Sequence, residues 1–385
     1  MSMILTAIAF ITIITILVAA HEFGHYIFAR LFGMGVEEFA IGFGKKPLFT
    51  FLRKTYDTPE GPETTVFTVR PWPIGGFVRI KAMMPEDDGS EVKVVGGFYS
   101  KPHWQRLVTL LAGPVFSILA GFAILVPLYM TEGMPKPSNE PIIGQIQEGG
   151  PAHKAGLKVD DRIVSVNGQP ISTFFEAIKI VRERPEQPTP VVVNRDGKEI
   201  SATLVPLRDQ APTTVLSQDL MPTEQKKVQG KIAAVWKTVY VPLSFGAAMG
   251  EIGRAPIEMV KSLAGIAMGK RAASEELGGP ITMIAATSET VKRGFGDVLS
   301  LAGLLSISLG IFNLLPVPPL DGGQMVVTIA EMLRGGKRLS MKVQERVATI
   351  GLALVGMLIV SIFFIDIKRF LVPPDKPRAA TSQSK

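Results

Sequence analysis

The segment His21-Glu22-Phe23-Gly24-His25 holds the residue types best placed to do chemistry in this 385-residue chain. Histidines four apart lie on one face of a helix. From there both imidazoles can reach one Zn²⁺ at about 2.0–2.1 Å. The glutamate beside the first histidine can take a proton from a water activated by that metal. The chemistry is addition of water to a polarised carbonyl. Met3 to Ala20 carry no charge, and no turn signal separates that run from the pentapeptide. The helix bearing these groups therefore reads as embedded in a membrane.

Two imidazoles leave a tetrahedral zinc site incomplete. The chain has no cysteine, so the third ligand must be a histidine or a carboxylate, and no disulfide is expected. His103 lies beside a second apolar run, and His153 lies in a polar outer segment. Asp321 is the better candidate. It ends the segment Asn313-Leu314-Leu315-Pro316-Val317-Pro318-Pro319-Leu320-Asp321, directly after a third apolar run. An ionisable residue in that setting is costly and marks a functional position by default. The prolines would break the helix and turn the carboxylate back toward the histidines. Taken alone, Asp321-Gly322 also reads as a turn at a membrane boundary; the histidine pair in another span favours the ligand reading.

Four apolar runs approach the roughly 17–25 residues that cross a bilayer: Met3–Ile27, Leu107–Met130, Val298–Leu315 and Ala348–Ile367. The third is short, and a buried core helix is its alternative. The first lacks a basic residue ahead of it and a small-residue cleavage site, so it does not read as a signal peptide. Arg30, Lys45, Lys46, Arg53, Lys54, Arg70, Arg79 and Lys81 follow it, and Arg334, Lys337, Arg338, Lys342 and Arg346 lie between the last two runs. The positive-inside rule places both loops in the cytoplasm and residues 131–297 outside. Lys368 and Arg369, on the outer side, run against that pattern. The net charge of +7 is thus absorbed by membrane topology, and no nucleic-acid partner is expected.

Between the runs, Val66–Val69 and Phe77–Ile80 read as strands of a small sheet or hairpin loop, with Gly75-Gly76 ahead of the second. Residues 140–207 read as a compact soluble domain: a strand at Pro141–Ile146, a short helix from Pro151, and an Asn167-Gly168 turn. A helix over Thr173–Glu183 and a hairpin around Asp196-Gly197 complete it. Residues 208–297 read as a polar linker followed by amphipathic helices, and Pro373 onward as disordered.

The chain resembles the site-2 protease family of intramembrane zinc metalloproteases, in its bacterial branch with one PDZ domain. His21, Glu22 and His25 match its HExxH box. Asn313, Pro316, Pro318, Leu320, Asp321 and Gly322 match its NxxPxPxLDG box in full. Ala155–Ile163 and Val166-Asn167-Gly168 resemble a PDZ domain, Pro73–Val78 the family's membrane-associated β-loop, and Gly42 and Gly44 its Gly-x-Gly. The family's GPxxN appears here as Gly113-Pro114-Val115-Phe116-Ser117, with Ser117 where a packing asparagine often stands; read by itself, Gly113-Pro114 is a helix kink.

The resemblance implies a four-span α-helical membrane protein with a small β-loop and an inserted extracytoplasmic PDZ domain. The corresponding segments are 1–30, 105–130, 298–316 and 347–369 for the spans, and 31–104 for the β-loop. The PDZ domain takes 138–207, the linker 208–297, the LDG loop 317–346 and the tail 370–385. It implies zinc on His21, His25 and Asp321, acid–base work by Glu22, and substrate contacts at Asn313, Gly75, Gly76, Phe77 and Val78. The implied activity is cleavage of single-span membrane proteins within the lipid bilayer of a bacterial inner membrane, in regulated intramembrane proteolysis. The alternatives are a non-catalytic membrane-anchored PDZ scaffold, and a transporter with a metal path, which the lack of an internal repeat disfavours.

Overall fold

A computed structural model describes residues 3–58, 61–83, 94–216, 222–232, 234–270, 278–337 and 339–371. The chain divides into two compact units, Met1–Leu128 with Ser244–Lys385, and Tyr129–Leu243. The first unit opens with α1 (Met3–Leu31), whose apolar run continues through the histidines without a break. Strands β1 (Val36–Phe43), β2 (Phe49–Thr58), β3 (Gly61–Val69) and β4 (Trp72–Ile80) follow. They form one sheet in the order β2-β3-β1-β4, with β1 parallel to β3 and antiparallel to β4. The expected small sheet or hairpin loop is thus a four-stranded mixed sheet, and β4 is one of its two edges. A buried Arg70–Glu38 pair at 2.7 Å ties β3's end to β1. Tyr26, Ala29, Met34, Val36, Phe39, Ile80, Phe98 and Leu110 form an apolar cluster that seats the sheet on α1 and α2 (His103–Thr131).

The second unit contains β5 (Met134–Pro137), β6 (Ile143–Ile146), α3 (Pro151–Lys154), β7 (Arg162–Val166), β8 (Gln169–Pro170) and α4 (Phe174–Arg182). Thr173 closes a capping box with Glu176 at the start of α4. β9 (Thr189–Arg195) and β10 (Lys198–Leu204) form the expected hairpin, with Asp196 and Gly197 both at positive φ. The unit does not stop near residue 207. β11 (Leu207–Leu216) pairs with β12 (Pro222–Lys231), β13 (Ala234–Trp236) with β6, and β14 (Thr238–Val241) with β5. The expected linker from 208 is thus replaced by four strands. Two of them pair with strands roughly ninety to a hundred residues earlier, which composition alone does not register.

Asp161 secures this unit. Its buried carboxylate accepts two bonds from Arg195, at 2.7 Å each, and one from the Lys158 amide at 2.7 Å. Burial pushes the carboxyl upward, but the Arg195 and Lys158 bonds outweigh it and hold it below the usual aspartate range. Unfolded aspartate titrates near pH ~3.9. The stabilisation is therefore complete above that value and is lost as the pH falls through the lower folded one. In the full chain, protease resistance of 129–243 should decline on acidification below about pH 4. Asp161→Asn should lower resistance at neutral pH and remove that part of the acid dependence. Identical acid profiles would contradict this.

The first unit resumes with α5 (Phe245–Ala267), α6 (Pro280–Arg293), α7 (Phe295–Asn313), α8 (Asp321–Leu333) and α9 (Met341–Leu371). Among the described residues, four helical segments are long and apolar enough to cross a membrane: Thr6–Leu31, His103–Thr131, Phe295–Asn313 and Lys342–Ile367. These are the four expected spans, the short third one included. Gly279 and Pro280 open α6, with the proline in its first turn. Asp366, from the last span, accepts the amides of Gly279, Ile281 and Thr282 at 3.2, 2.9 and 3.1 Å and so caps that helix. The expected disordered tail lies, from residue 372 on, outside the described residues.

Candidate active site

α1 and α2 cross at small residues. A Cβ on Gly24 would lie 2.4 Å from the Ala112 carbonyl oxygen, so only glycine permits this approach. α2 and α7 are equally close: a Cβ on Gly121 would meet the Gly303 carbonyl at 2.7 Å, and one on Gly310 the Pro114 carbonyl at 2.6 Å. The Ser306 hydroxyl donates to the Ser117 carbonyl at 2.7 Å. Small residues and interhelical hydroxyl bonds are how helices associate where water gives no hydrophobic drive. α2 thus packs closely on both α1 and α7, with one face toward the histidines.

The third candidate group arrives by a different route. α7 ends at Asn313, the proline segment reverses the chain, and α8 begins at Asp321. Gly322 and Gly323 make this turn possible, since a Cβ on either would fall within 2.3 Å of the Leu314 carbonyl or the Pro318 nitrogen. Gly351 of α9 presses on the other side, its virtual Cβ 1.9 Å from the Pro318 carbonyl. Arg106 of α2 holds the far end of α8 through Glu331 at 2.9 Å, both side chains buried. The carboxylate of Asp321 sits in the first turn of α8, where the helix dipole favours negative charge.

These elements bring His21, His25 and Asp321 together, with one ligand atom from each lying within 4.8 Å of the others. His21 Nε2 and His25 Nε2 lie 3.0 and 3.3 Å from Asp321 Oδ2, and 3.3 Å from each other. Three ligands about 2.0–2.1 Å from a tetrahedral Zn²⁺ are roughly 3.3–3.4 Å apart. The donor atoms therefore have the spacing of three corners of a zinc tetrahedron. The opposite ring nitrogens are also engaged. His25 Nδ1 donates to the Thr109 carbonyl at 2.8 Å, which leaves Nε2 as the lone-pair nitrogen, and His21 Nδ1 lies 2.9 Å from the Ser117 hydroxyl. The chemistry of the donor set and its orientation fit zinc.

Glu22 sits beside this cluster, where its Oε2 accepts the Val78 amide of β4 at 3.0 Å. Of the residues expected to contact substrate, Gly75, Gly76, Phe77 and Val78 all lie in β4. Asn313 is not drawn into the cluster: its amide nitrogen donates to the Leu309 carbonyl of its own helix at 3.0 Å. His103 stands at the start of α2, and His153 is exposed in the second unit.

Sequence reading missed three residues of α2. Ser117, read as a packing residue, faces a histidine nitrogen. Thr109 holds the other histidine. Gly113, read as part of a kink, provides room for the cluster: a Cβ there would lie 2.2 Å from His25 Nε2 and 2.8 Å from His21 Nε2. The signal was present as spacing, since Thr109, Gly113 and Ser117 stand four apart on one helix face. Gly113→Ala should lower zinc affinity by about 10–100-fold in competition with a chelator, the range seen when groups supporting metal ligands are lost. Wild-type affinity in that variant would show that the space beside the histidines is not needed.

Two imidazoles on a helix fit to span a bilayer, met by a carboxylate from the short helix that follows another such span, are the donor set of a multi-pass membrane zinc metalloprotease. The chain belongs to the site-2 protease family: the family model described as Peptidase family M50 matches residues 9–358. It is similar to the regulator of sigma-W protease RasP of Bacillus subtilis, 29% identical over 95% of this chain and 99% of the relative. The protein named "Probable protease eep" of Enterococcus faecalis is also 29% identical, over 95% of this chain and 99% of its own length. The zinc metalloprotease RasP of Bacillus licheniformis is 29% identical over 95% of this chain and all of its own.

Proposed function

We propose that this chain is an intramembrane endopeptidase that cuts the transmembrane segments of single-span proteins in a bacterial inner membrane, in regulated intramembrane proteolysis. The observation that carries the reading is the position of Glu22 next to the His21–His25–Asp321 cluster, on a helix whose residues 3–20 carry no charge. When bound, zinc supplies Lewis acidity that makes a water acidic and stabilises negative charge on the peptide oxygen. Glu22 takes the proton of that water as its oxygen adds to the scissile carbonyl. It then delivers the proton to the leaving nitrogen as the C–N bond breaks. Thr109 and Ser117 fix the imidazole orientations, and Gly113 keeps the space clear. Co-expression with a tagged single-span substrate tests this: wild type should release a fragment cut within the span, and Glu22→Gln should not.

A substrate helix hides its carbonyls in its own hydrogen bonds and must unwind before it is cut. An extended segment in lipid then needs new partners, and the edge of β4 at Gly75–Val78 supplies them by strand addition. Asn313, one loop before Asp321, is assigned to the substrate backbone on the family resemblance.

Residues 138–207 of the second unit are read as a PDZ domain on the outer, periplasmic side. It either captures a C-terminus exposed by an earlier cut or excludes substrates with bulky outer domains. Because β13 pairs with β6 and β14 with β5, its excision must remove Ser138–Lys237 and rejoin the β5 and β14 ends, which already lie side by side. Exclusion predicts that the shortened chain cleaves substrates with intact outer domains. Capture predicts weaker cleavage of trimmed ones.

A further inference from the structure

We infer that the Val78 amide is a positioning group for Glu22, and that an extended substrate docking on β4 takes over this amide and releases the glutamate for catalysis. The inference rests on the strand-addition reading above. β4 has β1 on one side only. In an antiparallel ladder the amide and carbonyl of one residue point the same way, and the direction alternates along the strand. The Val78 amide bonds Glu22, and its partner Phe39 in β1 faces the same way as Ile41, whose carbonyl accepts the Arg70 amide on the β3 side. Val78 and, by alternation, Gly76 therefore turn their backbone groups away from the sheet. The outward edge faces α1: the Thr15 hydroxyl donates to the Pro73 carbonyl, and Glu22, seven residues further along the helix, accepts from Val78. β4 thus runs along one stripe of the helix that carries the metal ligands.

An added strand has to use the backbone groups that Val78 turns outward, and its carbonyl must accept the same N–H that Glu22 now holds. One N–H does not serve both acceptors at full strength. A carboxylate is the stronger acceptor, so the glutamate stays on the edge until a docking segment brings several strand bonds at once. Its displacement frees Glu22 Oε2 beside the His21–His25–Asp321 donors, at the moment a scissile carbonyl is present. Substrate binding and activation of the base are then one exchange.

Binding by inactive variants tests this without relying on turnover. The probe is a fluorescent synthetic single-span peptide with helix-weakening residues, titrated with the full zinc-loaded chain in detergent micelles. Glu22→Gln keeps a side-chain acceptor for the Val78 amide, and Glu22→Ala removes it. Glu22→Ala should bind the peptide roughly fivefold more tightly than Glu22→Gln, the scale of one net hydrogen bond. In combination with Val78→Pro, which removes the N–H at an edge position with no ladder bond to lose, that ratio should fall to about one, with weaker binding overall. Equal affinities of Glu22→Ala and Glu22→Gln, or a ratio that survives Val78→Pro, overturn the exchange. Unchanged binding on adding Val78→Pro to Glu22→Ala sinks the strand-docking reading itself. Should Val78→Pro fail to accumulate, the α-hydroxy acid analogue of valine at position 78 removes the same N–H.

Discussion

Glu22→Gln is expected to leave zinc content at the wild-type level while cleavage of a single-span substrate falls by about 10²–10⁴-fold, the usual contribution of a positioned acid–base group. The two halves of this result separate because Glu22 is not one of the three clustered donors. Its carboxylate is held by a backbone amide, which an amide side chain can still accept. The substitution conserves shape and bonding and removes only the capacity to take and return a proton. Cleavage retained within a few-fold of wild type would remove Glu22 from the mechanism. Loss of zinc together with activity would make Glu22 a structural support of the metal site.

His21→Ala should abolish both zinc binding and cleavage. Two donors spread over two helices form a poor tetrahedral site, and metal affinity here depends on ligands held in place before the ion arrives. Ser117→Ala is the informative companion. It removes only the hydroxyl 2.9 Å from His21 Nδ1 and keeps all three donors. Its zinc affinity should drop about 10–100-fold, with activity restored at high zinc. Equal and complete loss in both variants would mean that the hydroxyl shapes the helix packing instead of orienting the imidazole.

The candidate donor cluster was legible in the sequence because it is written in short-range spacing. His21 and His25 share a helix face by their interval alone, and the prolines before Asp321 announce the chain reversal that a third ligand requires. Spans are legible from length and apolarity, and the early part of the second unit from turn residues such as Asn167-Gly168 and Asp196-Gly197. What lay beyond reach depends on contacts between distant segments. β13 and β14 are short and follow a polar stretch, and only their partners β6 and β5 make them strands. The Val78–Glu22 bond and the Arg106–Glu331 pair join elements 56 and 225 residues apart. Gly113 carries no side chain to advertise its role; its neighbours do, once α1 and α2 are seen to cross there.

The convergence of α1 and α8 on one ion is tested most directly by the zinc content of purified Asp321→Ala, beside wild type, after dialysis against a weak chelator. Wild type should retain about one zinc per chain. The variant, with circular dichroism and detergent elution unchanged, should retain less than about a tenth of that. Full retention of zinc in a folded Asp321→Ala chain would contradict the account, because the carboxylate that lies 3.0 Å from His21 and 3.3 Å from His25 would then not be a ligand.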